Sequence, residues 1–152
     1  MSLNIGDQAP QFSGTDLKGN TVALSDYSGS KNVFLVFYVK AFSGVCAVQL
    51  PRYNSNLDGF RSRDCEVIAV SVDNAFSQEA FCDSMGGIDY PMLSDMTLEI
   101  ADNYGVKLPG HTANRAEFLI DKAGKVRWSN VEKSPGDDTA TIEDIFGALD
   151  AL

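Results

Sequence analysis

Cys46 closes the stretch "FYVKAFSGVC", where an apolar run gives way to small residues and then to a thiol. The run "VFLVFY" at 33–38 reads as a strand that ends near Tyr38, and the following helix begins near Gly44. That places Cys46 in the first turn of the helix. Unpaired backbone amides and the positive end of the helix dipole favour an anion there, so the thiolate, which is the nucleophilic form, is favoured over the thiol. Ser43 stands three residues earlier, where its hydroxyl can cap the helix or face an oxygen that approaches the sulfur. The residue types alone leave a second reading open, in which Cys46 is a small buried apolar residue and Ser43 a plain cap.

The other chemistry-bearing residues form no competing constellation. His111 is the one histidine, in the loop "KLPGHTANR", so a Cys–His protease pair would rest on it alone. No group of His, Cys and carboxylates has metal-ligand spacing and no glycine-rich phosphate motif is present, so neither a metal nor a nucleotide cofactor is expected. Cys46, Cys65 and Cys82 contain no CxxC pair and are odd in number, a poor disulfide framework that suits a reducing, cytoplasmic setting. Cys65, at the start of a strand, reads as structural.

The elements that must position these residues follow from pattern. "CEVIAVSVD" at 65–73 is a second buried strand, and Val45, Val48, Leu57 and Phe60 between the two strands suit a helix. "SQEAFCDSMGG" at 77–87 reads as a helix with Ser77 as its cap and glycines at its end. "YPMLSD" is a short strand, "LEIADNYG" a helix, "AEFLID" and "KVRWSNV" a hairpin around "KAG", and "TIEDIFGALDAL" a final amphipathic helix. The acidic "PGDD" at 135–138 reads as a solvated loop. This order asks for a mixed sheet with helices on both faces.

Bulk properties set the limits. With 152 residues, 44% hydrophobic and 22% charged, the chain has the size and composition of one globular domain, 1–152. A net charge of -9 repels phosphate backbones and anionic bilayers, so nucleic acid and membrane surfaces are not expected partners. "VFLVFYV" is far shorter than the roughly 20 residues of a membrane span, and "MSLNIGDQAP" does not read as a secretory signal.

The motif and its surroundings resemble the peroxiredoxins. Their signature is a proline, three residues, Thr or Ser, two residues and the peroxidatic cysteine, directly after a core strand; here that spacing falls on Val39, Ser43 and Cys46. "IGDQAPQFSGTDLKGNTVALSDYSG", "DGFRSRDCEVIAVSVD", "YPMLSD" and "NRAEFLIDKAGKV" extend the likeness over nearly the whole chain. The branches it looks closest to are the Q-type, bacterioferritin-comigratory-like, and one-cysteine peroxiredoxins. The motif departs at Val39, which restores an amide hydrogen and frees a φ that proline would hold.

The resemblance implies a thioredoxin-like α/β fold with a mixed central sheet, flanking helices and an N-terminal β-hairpin extension. It implies a thiol-dependent peroxidase acting on hydrogen peroxide and small organic hydroperoxides. Cys46 would attack the terminal oxygen, helped by Ser43 and by Arg115, which matches the arginine that precedes a late strand in the family. Cys82, 36 residues after Cys46, is similar to the Q-type resolving cysteine and would close an intramolecular disulfide after local unfolding. The alternative is a packed Cys82 in a one-cysteine enzyme rescued by an outside thiol. The reductant would be thioredoxin-like or a low-molecular-weight thiol, and because peroxiredoxins often pair, a homodimer is the partner the family offers. Two other functions compete: a thiol-disulfide oxidoreductase, whose CxxC would need cysteine at Ser43, and a non-catalytic or redox-sensing thioredoxin-like module, kept open by Val39.

Overall fold

The fold is known from a computed structural model that describes residues 3–39, 41, 44–132 and 140–152, the first two helical residues, 44 and 45, by their backbone alone. The "PGDD" loop lies outside the described residues. The chain opens with β1 (Ser13–Thr15) and β2 (Thr21–Ala23), an antiparallel hairpin. After a 3-10 turn at Leu24–Tyr27 comes β3 (Asn32–Phe37), then α1 (Gly44–Ser55) and α2 (Leu57–Arg61). β4 (Cys65–Ser71), α3 (Ala75–Ser84), β5 (Met92–Ser94) and α4 (Glu99–Asn103) follow. A two-stranded lobe, β6 (Lys107–Leu108) and β7 (Thr112–Ala113), precedes β8 (Ala116–Ile120), β9 (Val126–Val131) and α5 (Ile142–Asp150).

The central sheet has the order β5-β4-β3-β8-β9, with β3 parallel to β4 and antiparallel to β8. β3 lies in the middle with every residue buried, which is why its sequence runs apolar without alternation. The two faces still separate by period two. Val33, Leu35 and Phe37 join one core with Phe12, Tyr104 and Phe118. Phe34, Val36 and Tyr38 join the other, with Cys46, Leu50, Tyr53, Phe81, Cys82, Leu119 and Ile145. Helices α1, α3 and α5 therefore cover the face that holds Cys46.

Two expectations change in detail. The cap of α3 is Asn74, not Ser77: in extended backbone its side chain accepts the Ser77 amide at 2.9 Å, so Ser77 is already helical. Val48 lies in α1, as expected of a helical segment, on its exposed side, while the buried stripe of α1 runs through Cys46, Leu50 and Tyr53. The loop of His111 is the small β6–β7 hairpin, with His111 itself at φ 58 and Gly110 at φ 88, a turn that pattern reading passes over because its strands are two residues long. No helix among the described residues is long and apolar enough to cross a membrane.

Candidate active site

Cys46 is the third residue of α1 and its side chain is fully buried. The abrupt change from β3 to α1 has a local cause: Tyr38 still donates its amide to Val70 of β4, and the helix starts at Gly44. Between them the chain is tied to the end of β4. The Ala41 amide donates to Asp73 Oδ2 at 2.6 Å, and the Ser71 hydroxyl donates to the same oxygen at 2.9 Å. Ser71 in turn accepts from Gln78 Nε2 of α3 at 3.0 Å, and Gln78 also donates to the Leu93 carbonyl of β5 at 2.8 Å. A polar hub from three elements thus restrains the loop in which Val39, half-buried, occupies the motif proline's place. Ser43 lies outside the described residues.

Arg115 directly precedes β8, as expected, and is 7% exposed. Its Nη1 meets Glu132 Oε2 at 3.0 Å, while Asn114 Nδ2 donates to the Glu132 carbonyl at 2.7 Å. The Glu132 amide donates to the Arg115 carbonyl at 2.9 Å, so the β8–β9 ladder continues past the strand ends and holds both backbones in register. Arg115 Nε has no hydrogen-bond partner among the described residues.

On the face of the sheet that holds Cys46 lies a polar cluster the sequence did not announce. Glu117 pairs with Val36 across β3, so by strand alternation it faces the α1 side together with Leu119, and Arg115 stands two residues before it. Gln49 Nε2 donates to the Tyr53 hydroxyl at 2.8 Å and to Glu117 Oε1 at 3.4 Å. Burial pushes the Glu117 carboxyl up to about 7, against the lowering influence of Tyr53, Arg52, Asn130 and Arg115. The one signal for it was a charged residue inside an apolar strand, "AEFLI".

Cys82 shares the apolar cluster of Cys46 but is engaged locally: its Sγ lies 3.0 Å from Met92 Sδ. Burial, then Asp83 and Glu79, push its thiol up to about 11. Cys65 is pushed up to about 12 by burial and then Glu66, in keeping with a structural role. Among the described residues no group of three His, Cys, Asp or Glu side chains could hold a metal ion. An apolar face carrying a buried cysteine at a helix start, with a buried arginine on a neighbouring strand, can stabilise a sulfur anion and the oxygens of a small polar substrate.

The AhpC/TSA family profile matches residues 5–129. A chloroplastic 2-cysteine peroxiredoxin of Chattonella marina var. antiqua is 35% identical over 140 residues, covering 86% of this chain and 72% of its own. Alkyl hydroperoxide reductase E of Mycobacterium tuberculosis is 33% identical over 154 residues, covering 98% of this chain and 99% of its own. The chain belongs to the peroxiredoxin family. The reduced 2-Cys peroxiredoxin of Plasmodium vivax superposes with a TM-score of 0.86 at 29% identity, covering 97% of this chain and 94% of that one. The peroxiredoxin fold extends to the N-terminal hairpin, and the protein is a thiol-dependent peroxidase, an oxidoreductase.

Proposed function

We propose that Cys46 is the peroxidatic cysteine and that Ser43 and Arg115 complete its site, in a single domain spanning 1–152. The thiolate attacks the terminal oxygen of hydrogen peroxide or a small organic hydroperoxide. The S–O bond forms as the O–O bond breaks, sulfur is oxidised to sulfenic acid, and the departing oxygen takes a proton and leaves as water or an alcohol. Helix amides and the Arg115 fork stabilise the charge on both oxygens. The observation that carries this reading is the first-turn position of Cys46 on the face of the sheet toward which Arg115 also alternates.

Cys82 is the resolving thiol in this reading, as in Q-type peroxiredoxins. Its contact with Met92 supports a route in which α3 opens before the Cys46–Cys82 disulfide forms. A thioredoxin-like or low-molecular-weight thiol then reduces the disulfide. Three free thiols support a cytoplasmic, reducing setting, and membership of a family whose members form dimers supports a homodimer.

Stopped-flow mixing with hydrogen peroxide tests the peroxidase site. Wild type should be oxidised orders of magnitude faster than a free thiol, and Cys46→Ser should not react; a Cys46 no faster than free cysteine would leave the non-catalytic module as the better reading. Mass spectrometry tests resolution. Wild type should yield a Cys46–Cys82 disulfide and Cys82→Ser a sulfenic or sulfinic Cys46, whereas a wild type that accumulates the sulfinic acid without a disulfide would make it a one-cysteine enzyme.

A further inference from the structure

One buried acid near the reactive helix has no part in the chemistry above. Glu117 is 1% exposed and Gln49 2%. Gln49 follows Cys46 by three residues, so the two side chains leave α1 on one face. Glu117 Oε2 and Gln49 Oε1 are both buried acceptors without a hydrogen-bond partner among the described residues. An ionised carboxylate in that position would hold its charge out of water, with Gln49 at 3.4 Å and the polar side chains of Tyr53 and Asn130 as its neighbours and Oε2 left without a donor, an expensive arrangement. A proton on the acid supplies the missing donor to the pair and removes the charge.

The groups facing Glu117 are few. From α1 come Gln49, Arg52 and Tyr53; from its own strand, Arg115; from β9, Asn130, directly opposite; and from β3, the uncharged Val36. Arg115 already meets Glu132 at 3.0 Å. A second carboxylate at Glu117 would offset the remaining field of the guanidinium in a buried site, where charges are weakly screened.

We propose that Glu117 is a positioning residue of the peroxidase: protonated, it holds Gln49, and with it the Cys46 helix, against β8 and leaves Arg115 to the sulfur and the peroxide, and ionised, it draws Arg115 away from them. The inference rests on the assignment of Cys46 and Arg115 above. Gln49, itself on α1, carries the link to the helix, and Glu132 anchors the arginine at 3.0 Å.

The test is the pH profile of the second-order rate constant for oxidation of Cys46 by hydrogen peroxide, in wild type and in the isosteric Glu117→Gln. The wild-type constant should fall about threefold between about pH 7 and about pH 8.5, while Glu117→Gln should stay level there and agree with wild type within about twofold near pH 6. A protonated-carboxyl infrared band should vanish from wild type over the same interval and be missing from the variant. Identical profile shapes overturn the proposal, as does a variant uniformly slower at every pH, which marks a structural role alone. Should the variant not fold, wild type decides: an infrared midpoint that differs from that of the rate overturns it and a shared midpoint supports it. A wild-type Cys46 that does not react with peroxide at all removes the site assignment itself, a distinct outcome.

Discussion

Arg115 Nη1 and Glu132 Oε2 meet at 3.0 Å with their side chains only 9% and 11% exposed. A pair so buried is destabilising to break, because the survivor keeps a charge away from water. Glu132→Ala should therefore lower unfolding free energy by about 3 kcal/mol in denaturant titrations. Arg115→Lys retains the charge and loses the fork, so it should slow peroxide oxidation about a hundredfold in stopped-flow measurements. A lysine variant as fast as wild type would remove Arg115 from the site.

The tether between Ala41 and Asp73 makes a separate prediction. Asp73→Ala frees the loop before Cys46 and should cost about 2 kcal/mol of stability and slow peroxide oxidation about tenfold, whereas Asp73→Asn, which keeps an acceptor oxygen, should stay close to wild type. Val39→Pro restores a restraint on φ in the same loop. It should raise the rate in the Asp73→Ala background, and an unchanged rate there would show that loop rigidity is not what Asp73 supplies.

Resolution by Cys82 should carry a pH signature. In the folded helix its thiol is pushed up to about 11, so attack from there would keep accelerating as pH rises through 9. Attack after α3 opens uses an ordinary thiol, and the disulfide-forming rate should level off above roughly 8.5. Quench-flow alkylation across that interval distinguishes the two, and the opening route predicts the plateau.

Glu117 should also register in stability. Its folded-state value of about 7 lies above the ordinary 4.5, so folding favours the protonated form. The penalty is absent below the unfolded value, grows as pH rises toward 7 and is fully present above it. Glu117→Gln removes it, and thermal or denaturant unfolding should show the variant more stable by about 2–3 kcal/mol near pH 8 and little changed near pH 4. Equal stabilities at pH 8 would place Glu117 in a wetter site than its burial indicates.

The strands and helices that carry the site were legible because their signals are local. Apolar runs of strand length gave β3 and β4, the "KAG" turn gave the β8–β9 hairpin, and the thiol at a strand-to-helix change gave Cys46 its position in the first turn of α1. Local pattern erred where two residues compete for one role, as with Asn74 and Ser77 at the start of α3.

By itself the sequence determined which residues could react and which elements present them: a cysteine in a helix's first turn, an arginine before a late strand, a thiol inside a helix. Only the tertiary structure decided what surrounds them. Gln49 and Glu117 are 68 residues apart in the chain and 3.4 Å apart in space, and Ala41 and Asp73 are joined across 32 residues. Such pairs leave no local periodicity, because strand alternation selects the face on which a side chain stands and only sheet order and helix placement select its neighbour. Burial is decided at the same stage. Glu117 is an ordinary acid in a strand's sequence, and it becomes a group poised near neutrality because β3, β9 and α1 close over it and exclude water.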